Sequence, residues 1–146
     1  MYHVYKLHLS NAAAYIVNTK GWQASPEGEA YKRLSFANGD NPDLAGHVLS
    51  AALMGLYHHG LAVEAPSIDA VFDYDNGASP FETGVKPIYH CKGLRSMSVG
   101  DVIVGGHVTV CCSRGWKSLP DYAADAFAEM AKKIACQRPN ALPKAA

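Results

Sequence analysis

The chain has 146 residues, of which 49% are hydrophobic and 18% charged, and its 13 Lys and Arg residues balance its 13 Asp and Glu residues. This length predicts one domain, and the composition excludes a disordered, collagenous or coiled-coil chain. A net charge of zero argues against a protein that coats DNA through its field, against a polybasic membrane binder and against an acidic DNA mimic. We expect a single domain over residues 1–137 and a flexible tail over 138–146.

Targeting signals are weak in this sequence. No stretch reaches the roughly 18 apolar residues of a membrane span, and the alternating N-terminus lacks the apolar core of a signal peptide. We therefore expect a cytoplasmic protein. In that compartment the cysteines, which are Cys91, Cys111, Cys112 and Cys136, are predicted to be reduced thiols rather than a disulfide framework.

The first part of the chain predicts one strand and two helices. Residues 2–8 alternate and are rich in Tyr and Val, which is typical of a strand. Ser10 is predicted to cap a helix that runs to about Thr19. Ser25 followed by Pro26 indicates a second helix, because proline is favoured at the first helical position. The residues expected to point inward from this second helix are Tyr31, Leu34 and Phe36.

The longest apolar segment predicts the central helix of the core. Asn41 and Pro42 provide a start signal, and Gly60 provides a stop after His59. Between them the apolar side chains cover more than half of the helical circumference, so we expect this helix to be buried on several sides. A short strand is predicted over 61–65. Ser67 is then predicted to cap a short helix that runs from Ile68 to about Tyr74. Asn76 and Gly77 end this helix.

From Val85 onward the hydrophobic period changes to two, which predicts strands. The predicted sheet contains 85–90, 96–104 with a turn at Gly100 and Asp101, and 107–112 after a hairpin at Gly105 and Gly106. A last helix is predicted to begin near Pro120. The fold class is therefore α+β: N-terminal helices packed on a small antiparallel sheet, followed by a C-terminal helix.

A recognisable pattern lies in the second half of the chain. Residues 67–76 form the short helix that ends in Asn, 94–104 read Leu-Arg-Ser-Met-Ser-Val-Gly-Asp-Val-Ile-Val, and 115–122 read Gly-Trp-Lys-Ser-Leu-Pro-Asp-Tyr. The part 67–122 resembles the YodL-type domain, although Trp116 stands where that family more often has Phe, and the loop 77–93 is longer than usual. The resemblance implies an accessory protein of a phage, plasmid or integrative element, and it implies no particular activity.

The motif contains residues that could carry catalysis. Ser96, Ser98 and Asp101, with His90 or His107 nearby, could form a nucleophile with its base. The other interpretation is a turn, in which the glycine before the aspartate adopts a positive φ and the aspartate accepts backbone N–H groups. We favour the turn because the strand–elbow–helix context of a hydrolase serine is missing, and we predict no catalytic residue.

Metal binding is weakly indicated. The His and Cys residues of interest form adjacent pairs, namely His58-His59, His90-Cys91 and Cys111-Cys112. Adjacent side chains of a strand point to opposite faces, so each pair offers one ligand, whereas zinc sites draw two ligands from a short spacing. Buried thiols are the commoner outcome, and phosphate-binding loops are absent. We predict no metal and no cofactor, and a cysteine and histidine site across the sheet stays the alternative.

Arg95, Arg114 and Trp116 are the predicted partner-binding residues, because Arg and Trp are favoured at the centres of interfaces. The exposed sheet edge and the loop 77–93 would complete the patch. The structural alternative is that Trp116 closes the core of the sheet and Arg114 is solvated. We expect a non-enzymatic binding protein of a mobile genetic element, acting as an inhibitor of a host defence complex such as a CRISPR–Cas effector.

The alternative function is a single-stranded nucleic-acid-binding accessory protein for plasmid or phage transfer or replication. Tyrosines and basic residues could together form a surface for stacking and for phosphate contacts. These residues are Tyr2, Tyr5, Tyr57, Tyr74 and Tyr89 with Lys6, Arg33 and Lys86. This function is our second choice, because the basic residues form no clustered stripe.

Overall fold

The computed structural model describes residues 1–134, which form a mixed α+β fold with a six-stranded antiparallel sheet. The strands are β1 (Tyr2–Leu7), β2 (Tyr57–Glu64), β3 (Lys86–His90), β4 (Val102–Val104), β5 (Val108–Cys111) and β6 (Trp116–Ser118). The helices are α1 (Asn11–Lys20), α2 (Pro26–Ser35), α3 (Leu44–Leu53), α4 (Ile68–Asp75), α5 (Pro80–Thr83) and α6 (Asp121–Ile134). The tail predicted over 138–146 lies outside the described residues. Within residues 1–134 no helix is long and apolar enough to cross a membrane.

The strands are ordered β3-β2-β1-β4-β5-β6, so the first strand of the chain lies in the middle of the sheet. On one side β1 pairs with β2, with an irregularity between Val4 and Tyr5. On its other side β1 pairs with the short β4, where Tyr5 lies opposite Val102. Because β4 is short, the last residues of β1 need other hydrogen-bond partners.

Alternating side chains of the sheet supply two separate cores. On one face, sheet residues such as Tyr5, Tyr57 and Val110 pack with α2, α3 and α6. The buried helical residues of this core include Leu34, Val48, Ala51, Ala123 and Phe127. On the other face, the core consists of Val4, Leu61, Val63, Val71, Val85, Met97, Ile103 and Cys111. The fold class expected from the sequence is confirmed, with α4 as the main helix on the second face.

Three serine caps predicted from the sequence fix the starts of helices. The hydroxyl oxygen of Ser10 accepts the Ala13 N–H at 3.1 Å, and that of Ser25 accepts the Gly28 N–H at 3.0 Å. Ser67 caps α4 in the same way through the Ala70 N–H at 3.1 Å. Each hydroxyl satisfies an N–H group that has no partner within its helix, so these boundaries agree with the prediction.

The central helix is shorter than predicted. We expected a helix from about Pro42 to His59, and that prediction is wrong beyond Leu53, where α3 ends. Gly55 follows with φ +77°, which turns the chain, and Tyr57 begins β2 instead. Both neighbours of β2 satisfy its backbone groups. An apolar run of this kind suits a buried strand as well as a buried helix, and periodicity alone does not separate the two.

Other local predictions also need correction. Residues 96–99 form no strand and instead run as an irregular segment. The Phe36 side chain is 73% exposed rather than buried, because α2 ends at Ser35 and Phe36 leaves the inward helical stripe. The elements α5 and β6 were not predicted.

Candidate functional site: an interaction surface beside a buried polar network

The motif segment, which we define as residues 94–101, is organised by one buried carboxylate. The Arg95 guanidinium donates to both oxygens of Asp101, at 2.8 and 2.7 Å. The backbone N–H groups of Leu7 and Ser98 donate to the same carboxylate at 2.9 and 2.8 Å. Burial raises the pKa of Asp101, and the Arg95 guanidinium and these two amides oppose that shift by stabilising the carboxylate.

The Arg95–Asp101 pair also completes the end of β1. Leu7 lies beyond the last residue that pairs with β4. Its N–H donates to Asp101, and its carbonyl accepts from the Arg95 guanidinium at 3.2 Å. The two side chains therefore take the place that a strand would occupy there. The Tyr57 hydroxyl also fixes the motif segment, because it donates a hydrogen bond to the Gly100 carbonyl at 2.7 Å.

A second buried ion pair holds the middle of the motif segment. The Lys6 side chain is 1% exposed, and its Nζ lies 2.8 Å from the Asp75 carboxylate. Lys6 also donates to the Arg95 carbonyl at 2.9 Å. Asp75 accepts the Met97 N–H at 2.6 Å. This network of hydrogen bonds and ion pairs therefore connects β1, the end of α4 and the motif segment. Its polar side chains stabilise the folded structure.

The turn interpretation of the motif agrees with this geometry. Gly100 has φ +93°, and Asp101 accepts backbone N–H groups as expected. Ser96 and Ser98 are exposed, and both oxygens of Asp101 already accept hydrogen bonds. His90 is near a different carboxylate, since its Nε2 lies 3.9 Å from Asp75 Oδ1.

The cysteines in the described part of the chain are buried free thiols, namely Cys91, Cys111 and Cys112. Burial, together with the neighbouring Asp101 charge, raises the pKa of Cys111 to about 12. Burial also raises the pKa of Cys112. These two thiols are therefore protonated at neutral pH and are poor nucleophiles. Among residues 1–134 there is no group of three or more His, Cys, Asp or Glu residues that could hold a metal ion; Cys136 lies outside that range.

The structure places the predicted partner-binding residues in different surroundings. Arg95 is engaged by Asp101 and is partly buried. Arg114 is exposed in the turn between β5 and β6. Trp116 is partly buried on the edge strand β6, where its Nε1 donates to Asp69 at 2.9 Å and its ring meets Phe72 edge-on. Their role in partner binding stays a prediction, and the geometry gives Arg95 a role within the fold.

Trp116 borders a surface that was predicted only in part: the segment 77–93 was expected beside the patch as a loop, and the structure forms α5 and β3 there. Between α4 and α5 lies an open cleft of about 650 Å³, and its lining includes Asp69, Asp73 and Glu82. Next to Glu82, the Phe81 side chain is 97% exposed. We call Asp69, Asp73, Phe81 and Glu82 the α4–α5 surface. A signal for it existed in the sequence, since Ser79 and Pro80 form the same helix-start pair as Ser25 and Pro26.

A second cavity of about 510 Å³ lies near the start of α1, with His8, Glu27 and His58 in its lining. The His8 and His58 rings meet edge-on with centroids 5.3 Å apart. Burial lowers the pKa of both rings, and the Arg95 charge lowers that of His8 further. His58 Nδ1 is buried without a hydrogen-bond partner among the described residues.

The residues proposed for nucleic-acid stacking do not share one surface. Tyr5, Tyr57 and Lys6 are buried in the core or in the ion-pair network. Tyr5 and Tyr57 both pack edge-on against Phe127, with ring centroids 5.7 and 5.4 Å away. These three side chains are therefore unavailable to a single strand in this structure, which corrects that part of the expectation.

Comparisons of the chain with protein-family models, with curated proteins and with solved structures found no match. The resemblance of residues 67–122 to the YodL-type domain therefore stays a prediction based on the motif residues.

Proposed function

We propose that this protein acts without catalysis, by binding another protein through the α4–α5 surface. The observation that carries the proposal is the 97% exposure of Phe81. Exposed aromatic side chains leave a large apolar area in water, and aromatic anchors that fill a partner's pocket contribute much of the free energy of binding.

The helix that presents Phe81 is fixed at both ends. The Ser79 hydroxyl accepts the Glu82 N–H at 3.1 Å, and the Thr83 hydroxyl donates to the Ser79 carbonyl at 2.9 Å. Gly84 closes the helix in a left-handed conformation. A side chain held on such a short, capped element is already positioned, so its binding costs little backbone entropy.

Other elements near α5 in the sheet and on α4 also present side chains to solvent. Ile88, on the edge strand β3 that follows α5, is 55% exposed. The Trp116 side chain contacts α4, because its Nε1 donates a hydrogen bond to Asp69. A standard interface buries about 800 Å² on each partner, which is about a tenth of the 8363 Å² accessible surface of this chain.

We propose that this protein is encoded by a mobile genetic element and that its partner is a component of a host defence complex, such as a CRISPR–Cas effector. The resemblance of residues 67–122 to the YodL-type domain supports this setting. Inhibition by binding requires only a rigid scaffold and a surface patch. The net charge of zero supports a protein target over DNA coating.

Affinity capture from host lysate tests the proposal. Immobilised wild-type protein is expected to retain a defence component, and Phe81→Ala is expected to lose it. The matched control is Tyr15→Ala, because Tyr15 is also an exposed aromatic (69%) but lies on α1. Both substitutions remove exposed aromatic area, so their effects on stability are expected to be equally small.

The outcomes separate the candidate functions. Retention of a defence component by wild type and Tyr15→Ala, but not by Phe81→Ala, supports the proposal. The proposal is wrong if wild type retains no defence component, or if Phe81→Ala and Tyr15→Ala behave alike. Salt-sensitive binding of a labelled single-stranded oligonucleotide, without protein capture, would favour the nucleic-acid alternative.

A further inference from the structure

Acidic and basic residues are segregated along this chain. Residues 34–85 contain seven Asp and Glu residues and neither Lys nor Arg, although the whole chain has 13 of each charge. The seven are Asp40, Asp43, Glu64, Asp69, Asp73, Asp75 and Glu82. The balanced net charge therefore hides an acidic region, and α4 and α5 lie inside it.

The carboxylates of the α4–α5 surface, those of Asp69, Asp73 and Glu82, form no ion pair with the described part of the chain, residues 1–134. Asp69 and Asp73 lie one helical turn apart on α4, where like charges repel. Asp73 also lies in the last turn of α4, where the helix dipole disfavours a negative charge. Its neighbour Asp75 is compensated by Lys6, whereas Asp73 has no such compensation.

We infer that the α4–α5 surface binds a Lys- and Arg-rich protein surface that also offers an apolar pocket. In this arrangement Phe81 fills the pocket and the carboxylates of Asp69, Asp73 and Glu82 pair with the partner's cations. This inference rests on the proposed function and names the chemistry of the partner.

Charge complementarity is the reason for choosing this occupant. Three carboxylates that line one cleft and form no ion pair within residues 1–134 raise the local concentration of a cationic partner and speed its association. Phe81, the residue before Glu82 on α5, is 97% exposed and adds the apolar anchor that charge alone lacks. A partner with an acidic surface would be repelled by the same cleft. Surfaces that bind nucleic acid have the required basic character.

A titration with a labelled cationic peptide of alternating Leu and Arg tests the inference. The key variant is the triple substitution Asp69→Asn, Asp73→Asn and Glu82→Gln. The control triple, Asp121→Asn, Asp125→Asn and Glu129→Gln, makes the same change of net charge on α6, where all three residues are exposed. We expect the cleft triple to weaken binding about tenfold and to flatten the salt dependence, and the control triple to change binding less than about twofold.

Several results would overturn the inference. Equal weakening by the two triples would mean that only net charge matters. Binding of Ca²⁺ alone to wild type, lost in the cleft triple, would make the cleft a cation site. A concentration-dependent dimer in sedimentation, lost in the cleft triple, would make the occupant a second copy of this chain. Failure of wild type to bind the peptide would also contradict the inference.

The design keeps this inference separate from the proposed function. If the cleft triple still captures the defence component while Phe81→Ala does not, the protein-binding function stands and the basic partner is wrong. If wild type binds the cationic peptide through the cleft but captures no defence component, the surface chemistry stands and the proposed target is wrong.

Discussion

Two groups of carboxylates in this protein have opposite surroundings. Asp75 and Asp101 are buried, and each pairs with a cation and accepts at least one backbone N–H. Asp69, Asp73 and Glu82 line an open cleft without an ion pair in residues 1–134. The same functional group therefore has two kinds of surroundings: a buried charge has to be satisfied within the fold, whereas an exposed one is free to be satisfied by water or by a partner.

Removal of Asp101 should give the largest loss of stability. Asp101→Ala leaves the Arg95 guanidinium without its carboxylate and leaves the Leu7 and Ser98 amides without their acceptor. We expect the free energy of unfolding to fall by about 3–5 kcal/mol in urea denaturation. The control Asp73→Ala should change it by less than about 0.5 kcal/mol. Similar losses of stability in Asp101→Ala and Asp73→Ala would mean that the buried and the cleft carboxylates do not differ in their contribution to the fold.

Gly100→Ala tests the turn that positions Asp101. A Cβ at this position would lie 2.5 Å from a Leu7 methyl carbon and 2.6 Å from the Leu34 carbonyl oxygen, and the residue has φ +93°. Strain and steric overlap together should cost about 2–4 kcal/mol of stability, measured by thermal and urea unfolding. Unchanged stability would show that the segment relaxes easily.

A double-mutant cycle on Lys6 and Asp75 sharpens the comparison. Lys6→Met should cost about 2–3 kcal/mol, because Asp75 keeps the Met97 N–H but loses its buried cation. Lys6→Met with Asp75→Asn should cost less than the sum of the two single substitutions, with a coupling free energy of about 1 kcal/mol or more. Additive losses would mean that the two charges do not stabilise each other.

The smallest effect is a dependence of stability on pH that comes from buried imidazoles. Burial lowers the pKa values of His8 and His58 from 6.5, so folding favours their neutral forms. Their contribution is fully present above pH 6.5 and is lost as the pH falls through the lowered folded-state pKa values, by at most about 1.4 kcal/mol per pH unit for each proton.

His58→Asn should therefore reduce the slope of unfolding free energy against pH below about pH 6.5. His8→Asn removes the other ring of the pair and should reduce the slope in the same direction. Urea unfolding at a series of pH values measures both variants. An unchanged slope in His58→Asn would mean that His58 does not contribute to the pH dependence of stability.

Local signals predicted the elements that have local causes. The serine caps at Ser10, Ser25 and Ser67 and the turn at Gly100 depend on residues close in sequence, and the structure has all four. The change from helix to strand after Leu53 depends on pairing with β1 and β3, so the apolar pattern alone misassigned it.

The candidate site was less predictable for the same reason. Asp101 was expected to accept backbone N–H groups, but its partner Leu7 lies 94 residues away in sequence. The burial of Lys6 depends on Asp75 and on the Arg95 carbonyl, which come from other elements. The acidic region is visible in the sequence as the stretch without Lys or Arg between Arg33 and Lys86, which the balanced total charge does not reveal.

The central position of β1 has a consequence for the order of folding. The strand is translated before its two neighbours, β2 and β4, which begin at Tyr57 and Val102. Until each neighbour has been synthesised, β1 presents an unpaired edge, which is a known route to aggregation. Contacts so distant in sequence slow the closure of a sheet. Folding during translation should thus protect both edges of β1 only after β4 has left the ribosome.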